Sequence, residues 1–368
     1  MVQEKSTKTA IHFIPGDGPN GLIEAISMTA DIKVNILTLY AIDKTVPNFC
    51  NKNGIKMNSL GFIEKNIYKQ VVEFIRYLYR EKPKLVFAHS FYPSLICAIG
   101  KVFYCKTIFV PVRHHNRVHI ISGNRKAMLL DRWISRVTTH TIAVSNSVKE
   151  TLVEQGCNTK KISVIFNGLP KPPTTYEPKH EVGKDGPFKL IALGRIDWQK
   201  NYEGMLEVIS ILRHSGVKLE LNILGSGNQE YLAELKRLQT KLGISDCVTW
   251  SGRQPDIYKY LNKADLFIHT AKDEACPLAL IETLMYGIPV ISSNLGGCRD
   301  VLEGFYTGQN PTDVKEFSND ILGVLKNLDS AKEYAKSITD AAFEKFNPIR
   351  MQNEYTSFSL ELLYRLKL

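Results

Sequence analysis

Two glutamates eight positions apart, Glu274 and Glu282, are the residues in this chain best placed to do chemistry. They stand in Asp273-Glu274-Ala275-Cys276-Pro277-Leu278-Ala279-Leu280-Ile281-Glu282, directly after the β-rich run Leu266–His269. Proline suits a first helical turn, and Gly287 followed by Pro289 suits a helix end. The spacing predicts a short helix from about Pro277 to Tyr286, with Glu274 in the loop before it and Glu282 within it. The N-terminus of such a helix offers free N–H groups and a positive dipole end, which favour a phosphate. Two carboxylates would not neutralise that phosphate. They would accept hydrogen bonds, and sugar hydroxyls are suitable donors. The competing reading is structural, with Glu274 a cap and Glu282 a solvated helix residue.

Other loops offer complementary groups. Gly194-Arg195-Ile196-Asp197-Trp198-Gln199-Lys200-Asn201 follows a β-rich run, and Arg195 and Lys200 together could neutralise a diphosphate, although either alone would more often be a surface charge. Gly225-Ser226-Gly227 lets backbone approach a ligand, and Ser251-Gly252-Arg253 could frame a base. In the first half, Gly16-Asp17-Gly18-Pro19-Asn20-Gly21 matches G-x-G-x-x-G, and Asp43 sits about where a ribose-binding acid would. Taken alone, this proposes a dinucleotide-dependent oxidoreductase. Pro19, however, removes a backbone donor from the cradle, so a glycine turn approaching some other ligand is the favoured reading. Arg113-His114-His115-Asn116-Arg117-Val118-His119 follows the run Thr107–Val112. A polar cluster at a strand's carboxyl end faces the binding side of a parallel sheet. Its structural alternative is a surface loop, or a buried histidine bonded to backbone.

These loops imply the elements that hold them. In the first half, β-rich runs at Ile11–Pro15, Val34–Tyr40, Leu85–His89, Thr107–Val112, Thr141–Val144 and Ile162–Phe166 alternate with helical patterns such as Glu64–Arg80. Residues 168–187 then hold five prolines, a linker signature. The pattern restarts at Lys189–Leu193, Leu219–Leu224, Val248–Trp250, Leu266–His269 and Pro289–Ser292. Alternation of this kind predicts two doubly wound α/β domains with parallel sheets, facing across a cleft. The expected boundaries are 1–170, a linker at 171–187, 188–346, and a final helix at 347–368.

Composition limits the function classes. The 368 residues are 44% hydrophobic and 23% charged, a globular balance for two domains. The most apolar region, Leu95 to Val112, is interrupted by Lys101 and Lys106, whereas a spanning helix needs about 20 nearly uncharged residues. Near the N-terminus the apolar run is only Ala10 to Pro15, too short for a secretory signal. Seven scattered cysteines with no CxxC argue against a disulfide framework or zinc site. A cytosolic protein is expected. Residues 1–180 carry 25 Lys and Arg against 12 Asp and Glu, a balance of +13; the remainder carries 22 against 25, or −3. Such asymmetry suggests an anionic partner for the first domain, for instance an anionic membrane surface, with a generally solvated basic surface as the alternative. No nucleic-acid partner is expected.

The second half resembles the donor domain of retaining family 4 glycosyltransferases of GT-B fold, with two Rossmann-like domains. The resemblance runs from about Leu190 to Val301. It rests on the GR-x5-KN loop (194–201), the GSG turn (225–227), the SG turn at Gly252, the E-x7-E spacing and "GIPVISSNLGG" (287–297). The first half resembles the family more loosely, through its glycine loop, "AVSNSVKE" (143–150) and "VIFNG" (164–168). The resemblance implies that Glu274 binds donor sugar hydroxyls, Glu282 the ribose, and Arg195 and Lys200 the diphosphate. It implies that Gly18 and Gly225 approach the donor, that backbone around Arg253 meets the base, and that the loop Cys276-Pro277-Leu278 lies against the phosphates. Many members carry glycine where Pro277 stands, so another N–H, that of Leu278, must serve here. His114 or His115 fits the family's site histidine after this strand. Asp17, Arg113 and Arg117 are the acceptor-side candidates. The expected reaction moves a sugar from a nucleotide-diphosphate donor, a UDP-sugar rather than a GDP-sugar, to a hydroxyl of a glycan or lipid-linked acceptor, with retention. No cofactor and no metal are expected. The alternatives are a sugar-nucleotide epimerase of the same fold, the oxidoreductase above, and a non-catalytic carbohydrate-binding protein.

Overall fold

The computed structural model describes residues 9–16, 32–40, 45–63, 66–177, 186–305 and 313–365. The chain divides into two compact units, residues 1–170 with 346–368, and residues 171–345.

Continuous apolar runs form the strands of the first unit. They are β1 (Thr9–Ile14), β2 (Lys33–Tyr40), β3 (Met57–Phe62), β4 (Leu85–His89), β5 (Ile108–Arg113), β6 (Thr141–Ala143) and β7 (Ile162–Val164). All pair in parallel in the order β3-β2-β1-β4-β5-β6-β7. Every residue of β4 and β5 is buried, as expected of strands covered on both faces. The helix Ile67–Glu81 starts where the Asn66 side chain accepts from the Lys69 N–H, and it buries Phe74, Tyr77 and Leu78. Phe74 stacks on Phe13 of β1 with ring centroids 5.0 Å apart. Full burial of one such side chain contributes about 1.5–3 kcal/mol. The edge strand β3 was not legible in the sequence, because Asn58, Ser59 and Gly61 interrupt its apolar pattern and it is largely unburied.

The last helix, Pro348–Arg365, packs within this first unit. Arg350 Nη2 donates to the Phe166 carbonyl at 2.8 Å, and the Leu169 N–H donates to the Phe346 carbonyl at 2.8 Å. Tyr355 sets its ring edge-on to Phe87 of β4 at 5.2 Å.

The second unit has five parallel strands, β8 (Phe188–Leu193), β9 (Leu219–Leu224), β10 (Val248–Gly252), β11 (Leu266–His269) and β12 (Val290–Ser292), in the order β10-β9-β8-β11-β12. The helix Tyr202–His214 buries Leu206, Ile209 and Leu212 against Leu221, Ile223, Leu266 and Ile268 of the sheet. The segment before β8 joins this unit: Tyr176 donates its N–H to the Tyr286 carbonyl at 3.1 Å and its hydroxyl to the Ala264 carbonyl at 2.6 Å. Strand order reverses beside β1 in the first unit and beside β8 in the second. Loops leaving neighbouring strands diverge at such points and open a crevice at the carboxyl ends. Among the described residues no helix is long and apolar enough to cross a membrane.

Candidate functional site

In the second unit, the loops after β8 and β11 are stitched together. Thr270 Oγ1 donates to the carbonyls of Lys200 and Asn201, 3.1 Å each, and the Lys272 N–H donates to the Gln199 carbonyl at 2.8 Å. Asn201 takes a left-handed φ of 54° and caps the following helix through its side chain. Gly225, at φ 152°, packs so closely that a Cβ there would lie 1.7 Å from the Gly194 carbonyl oxygen. No other residue fits that turn, so the loops after β8 and β9 are locked together as well.

This bracing brings Lys200 and Glu274 into direct contact, Nζ to Oε1, with both side chains mostly buried. His269, at the end of β11, sets Nε2 3.4 Å from the same Oε1, while its Nδ1 lies 3.2 Å from Ser292 Oγ. Burial alone would raise the Glu274 carboxyl. The Lys200 charge and the His269 contact outweigh it and bring the pKa down to about 2. The group is a fixed carboxylate. The Gly297 N–H donates to the Glu274 carbonyl at 2.7 Å, which holds the loop from behind.

The helix Leu278–Tyr286 follows, with Pro277 at its N-cap and Gly287 at φ 88° beyond its end. The N–H groups of Leu280 and Ile281 both turn back to the Pro277 carbonyl. Those of Leu278 and Ala279 are left at the positive end of the helix. Cys276 and Pro277 are buried. Glu282 accepts from the Tyr258 hydroxyl at 2.7 Å; its burial raises the carboxyl pKa and the Tyr258 bond lowers it, with burial prevailing. The two glutamates therefore differ in kind, one held by a lysine and a buried histidine, the other partly buried with a neutral donor. Arg195 is not drawn into this cluster: it is exposed, with Nε 3.2 Å from Asp197 Oδ2. Arg253 is exposed after β10.

In the first unit, Asp17 and Gly18, like Asp43, lie outside the described residues. The loop after β5 is anchored by the buried Asn116, which donates to Ser147 Oγ at 3.2 Å and accepts from Thr151 Oγ1 at 2.7 Å. Arg113 is buried. Its guanidinium lies 3.0 Å from Asp131 Oδ2 and donates to Gln155 Oε1 at 3.2 Å and to the His115 carbonyl at 3.2 Å. His115 Nε2 lies 3.2 Å and His119 Nε2 3.8 Å from that same Asp131 oxygen. These three could form a cation-ligand set, their donor atoms lying within 4.8 Å of one another. Arg113 already places a positive charge on the shared oxygen, which makes the cluster an ion-pair centre. Arg117 is exposed, 3.3 Å from Glu154. His114 turns the other way, its Nε2 2.9 Å from His89 Nδ1, and His89 Nε2 lies 2.9 Å from His12 Nδ1. Burial pushes His114 down to about 4 and His12 to about 3.

Sequence reasoning missed His269, His89 and His12 as site residues. The first two were legible in one respect, since each is the last residue of a strand and so stands at the carboxyl edge of its sheet.

Two parallel α/β units, each with its polar residues gathered at strand carboxyl ends, make a GT-B fold. Its likeness to a solved structure of Anabaena Alr3699/HepE in complex with UDP and glucose has a TM-score of 0.80 at 16% identity, over 96% of this chain and 99% of that one. Residues 175–342 match the family model "Glycosyl transferases group 1" and residues 55–170 match "Glycosyltransferase Family 4". The chain belongs to the group 1 glycosyl transferase family. It is 27% identical over 194 residues to an uncharacterized glycosyltransferase of Haemophilus influenzae, 51% of this chain and 53% of that protein. It is 30% identical over 175 residues to the amylovoran biosynthesis glycosyltransferase AmsK of Erwinia amylovora, covering 45% and 42%. The chain thus spans about half the length of the curated relatives it matches.

Proposed function

We propose that this protein transfers a sugar from a nucleotide-diphosphate donor to a hydroxyl of a glycan or lipid-linked acceptor, with retention at the anomeric carbon, in the synthesis of a cell-surface polysaccharide or glycolipid. The observation that carries the reading is the Lys200–Glu274–His269 centre beside the open N-terminus of the helix Leu278–Tyr286. A buried, permanently ionised carboxylate accepts from neutral donors, and sugar hydroxyls supply them. Lys200, Arg195 and the N–H groups of Leu278 and Ala279 supply positive potential for the departing nucleotide diphosphate. In this reading Glu282 accepts from the ribose with Tyr258 as its second donor. Gly225, Cys276 and Pro277 shape the phosphate loop, and backbone around Arg253 meets the base. His114 or His115 is the candidate histidine contact to the donor. Asp17, Arg113 and Arg117 remain the acceptor-side residues, Arg113 acting through Asp131 and the loop it braces.

The family membership supports a nucleotide-sugar donor, and the HepE likeness, a protein solved with UDP and glucose, supports uridine over guanosine. AmsK, named for amylovoran biosynthesis, supports a polysaccharide context. We place the reaction at the cytoplasmic face of the membrane, where the basic first unit meets anionic lipid. In this reading no metal and no cofactor are required, because Lys200, Arg195 and the helix N–H groups would neutralise the diphosphate.

A thermal-shift screen of UDP-, GDP- and ADP-sugars tests the donor, since a bound ligand raises the melting temperature by mass action. Turnover of the stabilising donor, with and without EDTA, then tests the rest. Release of nucleotide diphosphate and an α-linked product from an α-linked donor support the reading. Stabilisation by no sugar nucleotide, or activity lost in EDTA and restored by magnesium, overturns the corresponding part.

A further inference from the structure

Three histidines from three separate strands or strand ends form one hydrogen-bonded file in the first unit. His12 lies in the middle of β1, His89 ends β4, and His114 follows β5. The links are His12 Nδ1 to His89 Nε2 and His89 Nδ1 to His114 Nε2, both 2.9 Å. His12 and His89 are 2% and 3% exposed. His12 stacks on Phe87 at 4.9 Å and meets the edge of Tyr355 at 5.5 Å, so its surroundings are apolar. Such packing disfavours imidazolium, and all three rings sit below the usual histidine range because of burial.

Neutrality gives the file a direction. Each ring then carries a single proton, and each link needs one donor and one acceptor. Only two concerted arrangements satisfy both links. In one, the protons point inward: His114 donates from Nε2 and its Nδ1 is a bare acceptor. In the other they point outward: His12 donates to His89, His89 donates to His114, and His114 carries its proton on Nδ1. Among the described residues Nδ1 of His114 has no partner, so it is the nitrogen left to meet a ligand. The oxygens of a sugar phosphate are acceptors and require the outward arrangement.

We infer that His12 and His89 are positioning residues that hold His114 as its Nδ1–H tautomer, so that the ring presents an oriented neutral donor to an oxygen of the bound sugar nucleotide. The inference rests on the donor-contacting role proposed for His114. The tautomer itself can be read without substrate, so it stands or fails separately from the transferase reading.

The test is long-range proton–nitrogen NMR of the protein with ¹⁵N-labelled histidine, the His114 signals being assigned from their loss in His114→Gln. The wild type should show His114 as Nδ1–H, unchanged from pH 5.5 to 8. His12→Phe keeps a ring in the pocket but removes the first donor. His12→Asn fills the pocket less well but restores a donor at the position of Nδ1. The file therefore predicts that Phe gives mixed His114 tautomers and lowers kcat about 10-fold with the donor KM within about twofold, as for loss of one oriented donor. Asn should retain the Nδ1–H pattern and most of kcat. A merely structural His12 predicts the reverse order, with the better-packed Phe variant closer to wild type in both activity and melting temperature. A wild-type His114 that is Nε2–H or mixed overturns the inference, whether or not the variants fold. So does a His12→Phe protein with wild-type kcat.

Discussion

The two units build their polar centres from opposite materials. After β11 the centre is ionic: a carboxylate and a lysine whose charges fix one another, beside a histidine that burial holds below its usual range. After β5 a half-buried neutral imidazole, His114, ends a file of histidines, Arg113 and Asp131 are turned inward to brace the loop, and Arg117 lies exposed against Glu154. The same sheet architecture thus presents strong fixed potential at one strand edge and oriented neutral donors at another. A diphosphate needs the first. A sugar held in a particular orientation is served by the second. Buried charge is tolerated only where a partner meets it, and buried imidazole only where desolvation keeps it neutral.

If the contrast is right, breaking the ionic centre should do the most damage. Lys200→Met leaves Glu274 buried and short of its cation. We expect kcat/KM to fall on the order of 10³-fold and stability to drop by about 3 kcal/mol, the penalty of an orphaned buried charge. Adding Glu274→Gln should recover much of the melting temperature and none of the activity. Recovery of activity would make the pair structural. Glu274→Gln alone should lower kcat by on the order of 10²-fold, because a neutral amide cannot strengthen its bonds as the sugar gains positive charge.

Acid should separate the units next. Six histidines of the first unit, His12, His89, His114, His115, His119 and His140, lie below the usual value, burial being the largest cause for each. Their unfolded forms take up protons below about pH 6.5 while the folded forms resist. Stability is therefore fully present above that pH and is lost as pH falls toward 4, at about 1.4 kcal/mol per pH unit for each fully resistant ring. In the second unit His269 is lowered in the same way. Glu274, at about 2 against an ordinary 4.5, adds stability that is full above pH 4.5 and is lost as pH falls from there through 2. Hydrogen exchange at pH 7 and pH 5 should show the first unit losing more protection. Equal losses would remove the distinction.

Smaller effects sharpen the comparison within the second unit. Glu282→Gln should raise the donor KM about 10-fold with little change in kcat, since a ribose contact is alike in ground and transition states. Tyr258→Phe, which removes the hydroxyl bonded to Glu282, should raise KM less. The smallest effect tests charge at long range: the +13 balance of residues 1–180 should carry the protein onto anionic vesicles at low salt and release it at high salt, each basic residue near the surface adding about 1 kcal/mol. Equal recovery on neutral vesicles would show that the basic surface is only solvated.

Much of this was determined by the sequence alone. Alternating apolar runs specified two parallel α/β units, because strands buried on both faces must be continuously apolar and must be joined by covering helices. Pro277 and Gly287 bounded the helix that begins beside Glu274, since one cannot donate inside a helix and the other closes it in a left-handed turn. Spacing along one chain also placed Glu274 before that helix and Glu282 within it. Only the tertiary structure decided their partners. Lys200 and Glu274 are 74 positions apart, and they meet because β8 lies beside β11 in the sheet. His12 and His89 are 77 apart, and they meet because β1 lies beside β4. Arg195 and Lys200 look equivalent in sequence, yet one faces solvent and the other is mostly buried against a carboxylate. Strand order is set by packing over the whole core, and it is strand order that chooses which loop ends become neighbours. Local pattern names the residues at those ends, and it carries no record of which end stands beside which.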